Sequence, residues 1–256
     1  MNMCVRIGLV LSLGVIPAIA HADHHGMAMQ SSASPESTFG VGLSLVAASF
    51  STDYIGDYEA LVPSLGWAMG RFSAGASIGL YRLDENGRKF YGLGDAVVHG
   101  QATLVIRESV QGGVMLAVSA PTGDSQIGLG MGHVMAMPAL WGTWNHDRLT
   151  LAVSGGVGRA LASIGHVHGM WPLVEPMNIS EVTWSASGEI TVTRDLHAGL
   201  RVGGGAPVID PGINRIVAAL RVAWVSGRVD TAAELQAGLA GDPFTFRGVV
   251  DTSVHF

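Results

Sequence analysis

Glu181-Val182-Thr183-Trp184-Ser185-Ala186-Ser187-Gly188-Glu189-Ile190-Thr191-Val192 is the stretch that decides the fold. Val182, Trp184, Ala186, Ile190 and Val192 fall on one side of an extended chain, and Glu181, Thr183, Ser185, Ser187 and Glu189 on the other. Successive side chains of a strand point to opposite faces, so this alternation predicts a strand with one apolar and one polar face. The same pattern recurs along the chain. Phe39, Val41, Leu43 and Leu45 alternate with small residues, as do Leu196, Ala198, Leu200 and Val202, and Ile216, Ala218, Leu220, Val222 and Trp224. Twelve such sets can be traced up to Phe256. Short connections near Gly70-Arg71, Glu108-Ser109, His146-Asp147, Arg194-Asp195 and Gly227-Arg228 alternate with longer ones at 51–59, 83–93, 121–132, 160–180 and 205–214, and a brief one at 241–243. Tight turns on one side and long loops on the other characterise outer-membrane barrels. The expected fold is all-β: a transmembrane antiparallel up-and-down β-barrel of about twelve strands, following a cleaved signal peptide.

Composition supports the bilayer as solvent. Of 256 residues, 13% are charged and 48% apolar, and there are 36 glycines. Typical globular domains carry about 25% charge. Intrinsic disorder is excluded by the hydrophobicity. Nucleic acid is excluded as a partner, because the net charge is −6 and Lys89 is the single lysine. No stretch after residue 22 reaches the ~18 uninterrupted apolar residues of a membrane helix. Residues 1–22 read as a signal peptide: Arg6, an apolar run from Ile7, then Ala20-His21-Ala22, with Ala18-Ile19-Ala20 as the rival cleavage site. Cleavage removes Cys4, so the exported chain has no thiol, and removal of Arg6 brings its charge to −7. The expected organisation is signal peptide 1–22, a His/Met-containing tail 23–37 and a barrel over 38–256, located in the outer membrane of a Gram-negative bacterium. Expected partners are the lipid bilayer, lipopolysaccharide, a small-molecule ligand, and the barrel-assembly machinery through the terminal Phe256.

Gly92-Leu93-Gly94-Asp95 opens one strand, and Ala120-Pro121-Thr122-Gly123-Asp124 leads through Gly128-Leu129-Gly130-Met131-Gly132 into another, which carries Pro138 near its middle. Over residues 90–145 this resembles the MetA-pathway phenol-degradation family of outer-membrane transporter barrels. The resemblance implies a barrel concerned with passive uptake of aromatic or other hydrophobic compounds.

The polar face of the barrel should line its lumen. The alternation places Asp95, His99, Arg107, Glu181, Glu189, His197, Arg201, Arg221, Glu234 and Arg247 there. Acids and arginines are mixed, which suits a narrow or plugged twelve-stranded channel. The 160–180 loop is unusually apolar for an exterior loop, with Ile164, Val167, Met170, Trp171 and Leu173. These residues read either as a capture site for a hydrophobic ligand, or as a segment that folds into the mouth as a plug or packs on lipopolysaccharide.

A second reading is copper-linked transport or metal binding, with no other cofactor expected. Cleavage after Ala22 would expose Asp23-His24-His25, an amine, amide and imidazole set suited to Cu(II), followed by Met27 and Met29, whose thioethers suit Cu(I). His166, His168 and Met170 repeat the theme in the long loop, and Met131, His133, Met135 and Met137 repeat it on the sixth strand, where His133, Met135 and Met137 share the inward face. An enzyme is not expected. Gly75-Ala76-Ser77-Ile78-Gly79 spells a nucleophile elbow, yet it lies inside an alternating strand instead of a strand–turn–helix.

Overall fold

The computed structural model describes residues 37–51, 55–163, 174–208, 212–241 and 244–256. The signal segment, the tail residues His24, His25, Met27 and Met29, and the loop residues Ile164, His166, Val167, His168, Met170, Trp171 and Leu173 lie outside the described residues.

One antiparallel sheet contains fourteen strand segments. They are β1 Thr38–Ser51, β2 Ile55–Met69, β3 Phe72–Ser77, β4 Leu80–Glu85, β5 Arg88–Leu93, β6 Ala96–Ile106, β7 Val110–Ala120, β8 His133–His146, β9 Leu149–Ser163, β10 Ser180–Thr191, β11 Leu196–Pro207, β12 Arg215–Ser226, β13 Val229–Ala240 and β14 Phe244–His255. β1 pairs with β2 on one side and β14 on the other, from Gly40↔His255 to Phe50↔Phe244, which closes the sheet on itself. Closure pairs backbone groups that lipid could not satisfy. β3 and β4 pair with the two halves of β2 and form one barrel strand broken at Ile78-Gly79. β5 and β6 form the next, broken at Gly94-Asp95. The barrel therefore has twelve strands.

Both breaks occur at one level, where Gly94 N donates to Gly79 O at 2.9 Å. The Tyr81 ring crosses this level. A Cβ at Gly79 would lie 2.2 Å from Tyr81 Cε2, and one at Gly94 2.5 Å, so neither position tolerates a side chain.

The 83–93 stretch, read from sequence as a long link, is instead the β4–β5 hairpin. Asn86 (φ 51°) and Gly87 (φ 80°) make a left-handed two-residue turn of the kind that matches strand twist. Its alternation is inverted relative to the rest of the wall: Arg82, Asp84 and Lys89 lie outward, while Tyr81, Leu83 and Phe90 lie inward. Arg82 binds Asp57 (2.5 Å) and Glu59 (2.8 Å) on the outer surface of β2. Toward the hairpin tip the outer face is thus polar, while Leu80, Tyr91 and Leu93 keep its base apolar and Glu85 turns inward; a polar tip is the pattern of a strand standing in water above the lipid.

Below the rim the outward face is apolar all round. Leu43, Leu65, Leu140, Val153, Leu200, Leu220 and Leu235 are exposed, and their sequence neighbours turn inward. Phe39, Trp67, Phe72, Trp144, Trp224 and Phe256 are exposed beside the short turns and chain ends, as an interfacial aromatic girdle requires. An apolar surface this continuous belongs in lipid.

Candidate functional site

The lumen is organised by a clasp at its long-connection end. Asp95 Oδ1 accepts from Gly123 N (2.9 Å), and its Oδ2 accepts from Met131 N (2.8 Å). Thr122 Oγ1 accepts from Ala96 N and donates to Gly94 O, both at 2.8 Å. The Gly92–Asp95 and Pro121–Asp124 motifs thus hold each other. Asp124 caps a single helical turn, Ser125–Ile127, by accepting from Gln126 N. Gly123 and Gly130 allow the close approach: a Cβ at Gly123 would lie 2.4 Å from Leu129 O, and one at Gly130 2.5 Å from Asp95 Oδ1. Asp95 was expected on the lumen wall; its carboxylate serves the clasp.

The clasp delivers Leu129 into the lumen, where it is buried with Val46, Phe50, Tyr58, Leu83, Val217, Phe244 and Val174. Val174 begins the described end of the second long connection, and its N donates to Gly128 O at 3.2 Å. At this level two connections and the wall make one packed core. Residues 174–178 therefore fold into the mouth. Glu175 holds a positive φ of 51°, uncommon for a side-chain-bearing residue. Tyr81 OH donates to its Oε1 at 3.0 Å, and burial of the carboxyl pushes its pKa up to about 8.

A buried ion pair crosses the same end. Arg215 Nη2 lies 2.7 Å from Glu181 Oε1, and both side chains are almost fully enclosed. Glu181 Oε2 accepts from Asn178 N (3.1 Å) and Nδ2 (2.8 Å), which anchors the returning connection to β10. Arg247 is equally buried. It contacts Tyr58 OH and Gln236 Oε1 and lies 4.3 Å over the Phe244 ring.

The wall of β7 and β8 is different in kind. His133, Met135 and Met137 face the lumen and are buried. The fold adds Met177 and Met131 to them, from the two long connections. Sequence spacing already groups Met131 with this strand; it gives no sign of Met177, whose approach is set by how the second connection returns.

Toward the short turns the lumen is polar. Arg201 Nη2 meets Glu234 Oε1 at 2.5 Å, and Arg221 pairs in register with Glu234. His197 Nδ1 lies 3.5 Å from Glu189 Oε1. His99 occupies the space over Gly75, where a Cβ would lie 2.6 Å from its Cε1. Arg107, expected in the lumen, lies in the exposed turn after β6. A bulge between Thr103 and Val105 shifts the alternation, and the strand ends at Ile106. Near the C-terminus His255 contacts Asp230 (2.8 Å) and Ser253 (3.3 Å), but both approach Nε2. A relay needs the acid on one ring nitrogen and the nucleophile on the other, so this trio is not a hydrolytic triad.

Solved structures share this architecture. The COG4313 outer membrane channel from Pseudomonas putida F1 superposes with TM-score 0.64 at 12% identity, over 86% of this chain and 95% of that one. The fold is that of outer-membrane β-barrels. The NanC porin gives TM-score 0.57 at 9% identity, covering 84% and 98%. The translocator domain of autotransporter NalP from Neisseria meningitidis gives 0.53 at 13% identity, covering 91% and 90%. No protein-family model matches the chain, and no curated protein does. Channels, porins and a translocator domain share the barrel, so fold alone does not select among their activities.

Proposed function

We propose that the protein is an outer-membrane channel for passive uptake of small hydrophobic compounds, aromatic ones among them, and that the 160–180 loop governs access. The observation that carries this reading is the apolar core under the long connections: Phe50, Tyr58, Leu83, Leu129, Val174 and Phe244 pack together where a solute from outside would first arrive. A solute that parts the connections meets these apolar side chains, and an apolar one replaces their contacts at little cost. A sugar would lose its hydration there without recovering hydrogen bonds. The resemblance of residues 90–145 to the phenol-degradation transporters points to the same cargo. The Phe256 backbone pairs with Phe39 at the seam where the barrel closes.

The test is uptake by proteoliposomes of a monoaromatic hydrocarbon against a monosaccharide of similar size. Preferential passage of the hydrocarbon is expected, and equal passage would overturn the cargo assignment. Removal of residues 165–173 is expected to change hydrocarbon uptake; unchanged uptake would remove the loop from the mechanism.

A further inference from the structure

We propose that the long-connection end of the lumen holds a binding site for a soft monovalent metal ion of the Cu(I) class, formed by the thioethers of Met131, Met135 and Met177. The site goes beyond the cargo reading and does not depend on it. Its three sulfurs come from three separate pieces of chain: the 121–132 connection, β8, and the segment that enters β10. Met135 is 0% exposed and Met177 5%, with Met137 (1%) packed behind them.

Two features bring the side chains together. A Cβ at Gly158 would lie 3.1 Å from Met177 Cε, 3.4 Å from Glu181 Cγ and 3.5 Å from Met135 Cε, so the methyl ends of Met177 and Met135 share one stretch of β9. Met131, Met135 and Met177 also line one small cavity of about 10 Å³. A space of that size holds roughly one water-sized sphere. It is too small for an organic solute and adequate for a single ion. The Asp95 carboxylate borders the cavity and supplies charge opposite to that of a monovalent cation.

The donor set decides the class of metal. Among the described residues no three His, Cys, Asp or Glu side chains gather in a way that could hold a metal ion. A zinc-type or calcium-type site therefore has no ligands here, whereas thioethers select soft ions such as Cu(I). Methionine also serves as an adaptable core filler. Leucine would replace a filler at little cost and cannot replace a sulfur ligand, which makes Met→Leu the discriminating change.

The experiment uses the purified full-length exported chain carrying His24→Ala, His25→Ala, His166→Ala and His168→Ala, so that imidazoles of the tail and loop contribute nothing. Ag(I), and Cu(I) under anaerobic reducing conditions, are titrated in competition with a chromophoric chelator. One bound equivalent is expected, with sulfur neighbours in the X-ray absorption spectrum. Affinity should fall at least tenfold in Met135→Leu/Met177→Leu, with heat-modifiable gel migration confirming the folded barrel. Absence of binding, or equal affinity in the leucine variant, overturns the proposal. Should the double variant fail to fold, Met131→Leu, which lies in a connection, is read by the same criterion.

Discussion

Arg215 and Arg201 lie on adjacent strands of one wall, each against a glutamate, in different surroundings. Arg215 and Glu181 sit under the long connections with side chains 1% and 0% exposed, and Asn178 caps the pair. Arg201 and Glu234, nearer the short turns, keep 23% and 11%. The first pair is part of a core that the connections complete; the second is partly exposed and has no connection packed over it among the described residues. The lumen is thus sealed by the connections at one end and lined by polar and charged side chains nearer the short turns, although the same strands build both.

The largest effect should come from breaking the enclosed pair. Arg215→Met leaves Glu181 buried without its partner, which is expected to cost about 3–5 kcal/mol. Arg201→Met should cost less, because the pair is less enclosed and Gln236 Nε2 still donates to Glu234 Oε1 at 2.6 Å. Urea unfolding followed by gel shift measures both, and equal losses would erase the distinction between the two halves.

Release of the clasp should follow in size. Asp95→Asn removes the charge from two amide hydrogen bonds, and bonds to charged groups are worth about 1.5–3 kcal/mol each. Cleavage within residues 121–132 by added protease, together with higher single-channel conductance, is expected. A variant as resistant and as closed as the parent would show that the core under the connections does not depend on Asp95.

The smallest effect concerns pH. The Glu175 carboxyl, ordinarily near 4.5, is raised to about 8 in the seated connection. The seated form therefore holds a proton that the solvated form releases. Its stabilisation is complete below about 4.5 and is lost as pH rises toward 8. Conductance should increase between pH 5 and pH 9. Glu175→Gln, neutral at both ends of that range, should flatten the response; a variant as pH-sensitive as the parent would remove Glu175 as its source.

Much of the barrel was legible before any coordinates. Period-two alternation located the wall strands, and it failed where its physical basis changed. At β4–β5 the outer face stands in water, so the polar and apolar sides exchange and the stretch no longer resembles a lipid-facing strand, although Asn86-Gly87 marks the turn. At Arg107 one bulge was enough to misplace the side chain, since a single extra residue reverses every position after it. His133, Met135 and Met137 were legible as one face of a strand. Met131 was legible as their neighbour in sequence, whereas Met177 was not placed beside them, because the return path of a long connection leaves no periodic trace.

The sequence by itself determined that this chain closes a sheet in a membrane. Alternation is local, and the solvent on each side of the wall imposes it residue by residue. The tertiary structure decided what the lumen is. Asp95 reaches Met131 across 36 positions and Arg215 reaches Glu181 across 34. These contacts join side chains from different strands and connections inside a closed cylinder, a proximity that exists only after closure.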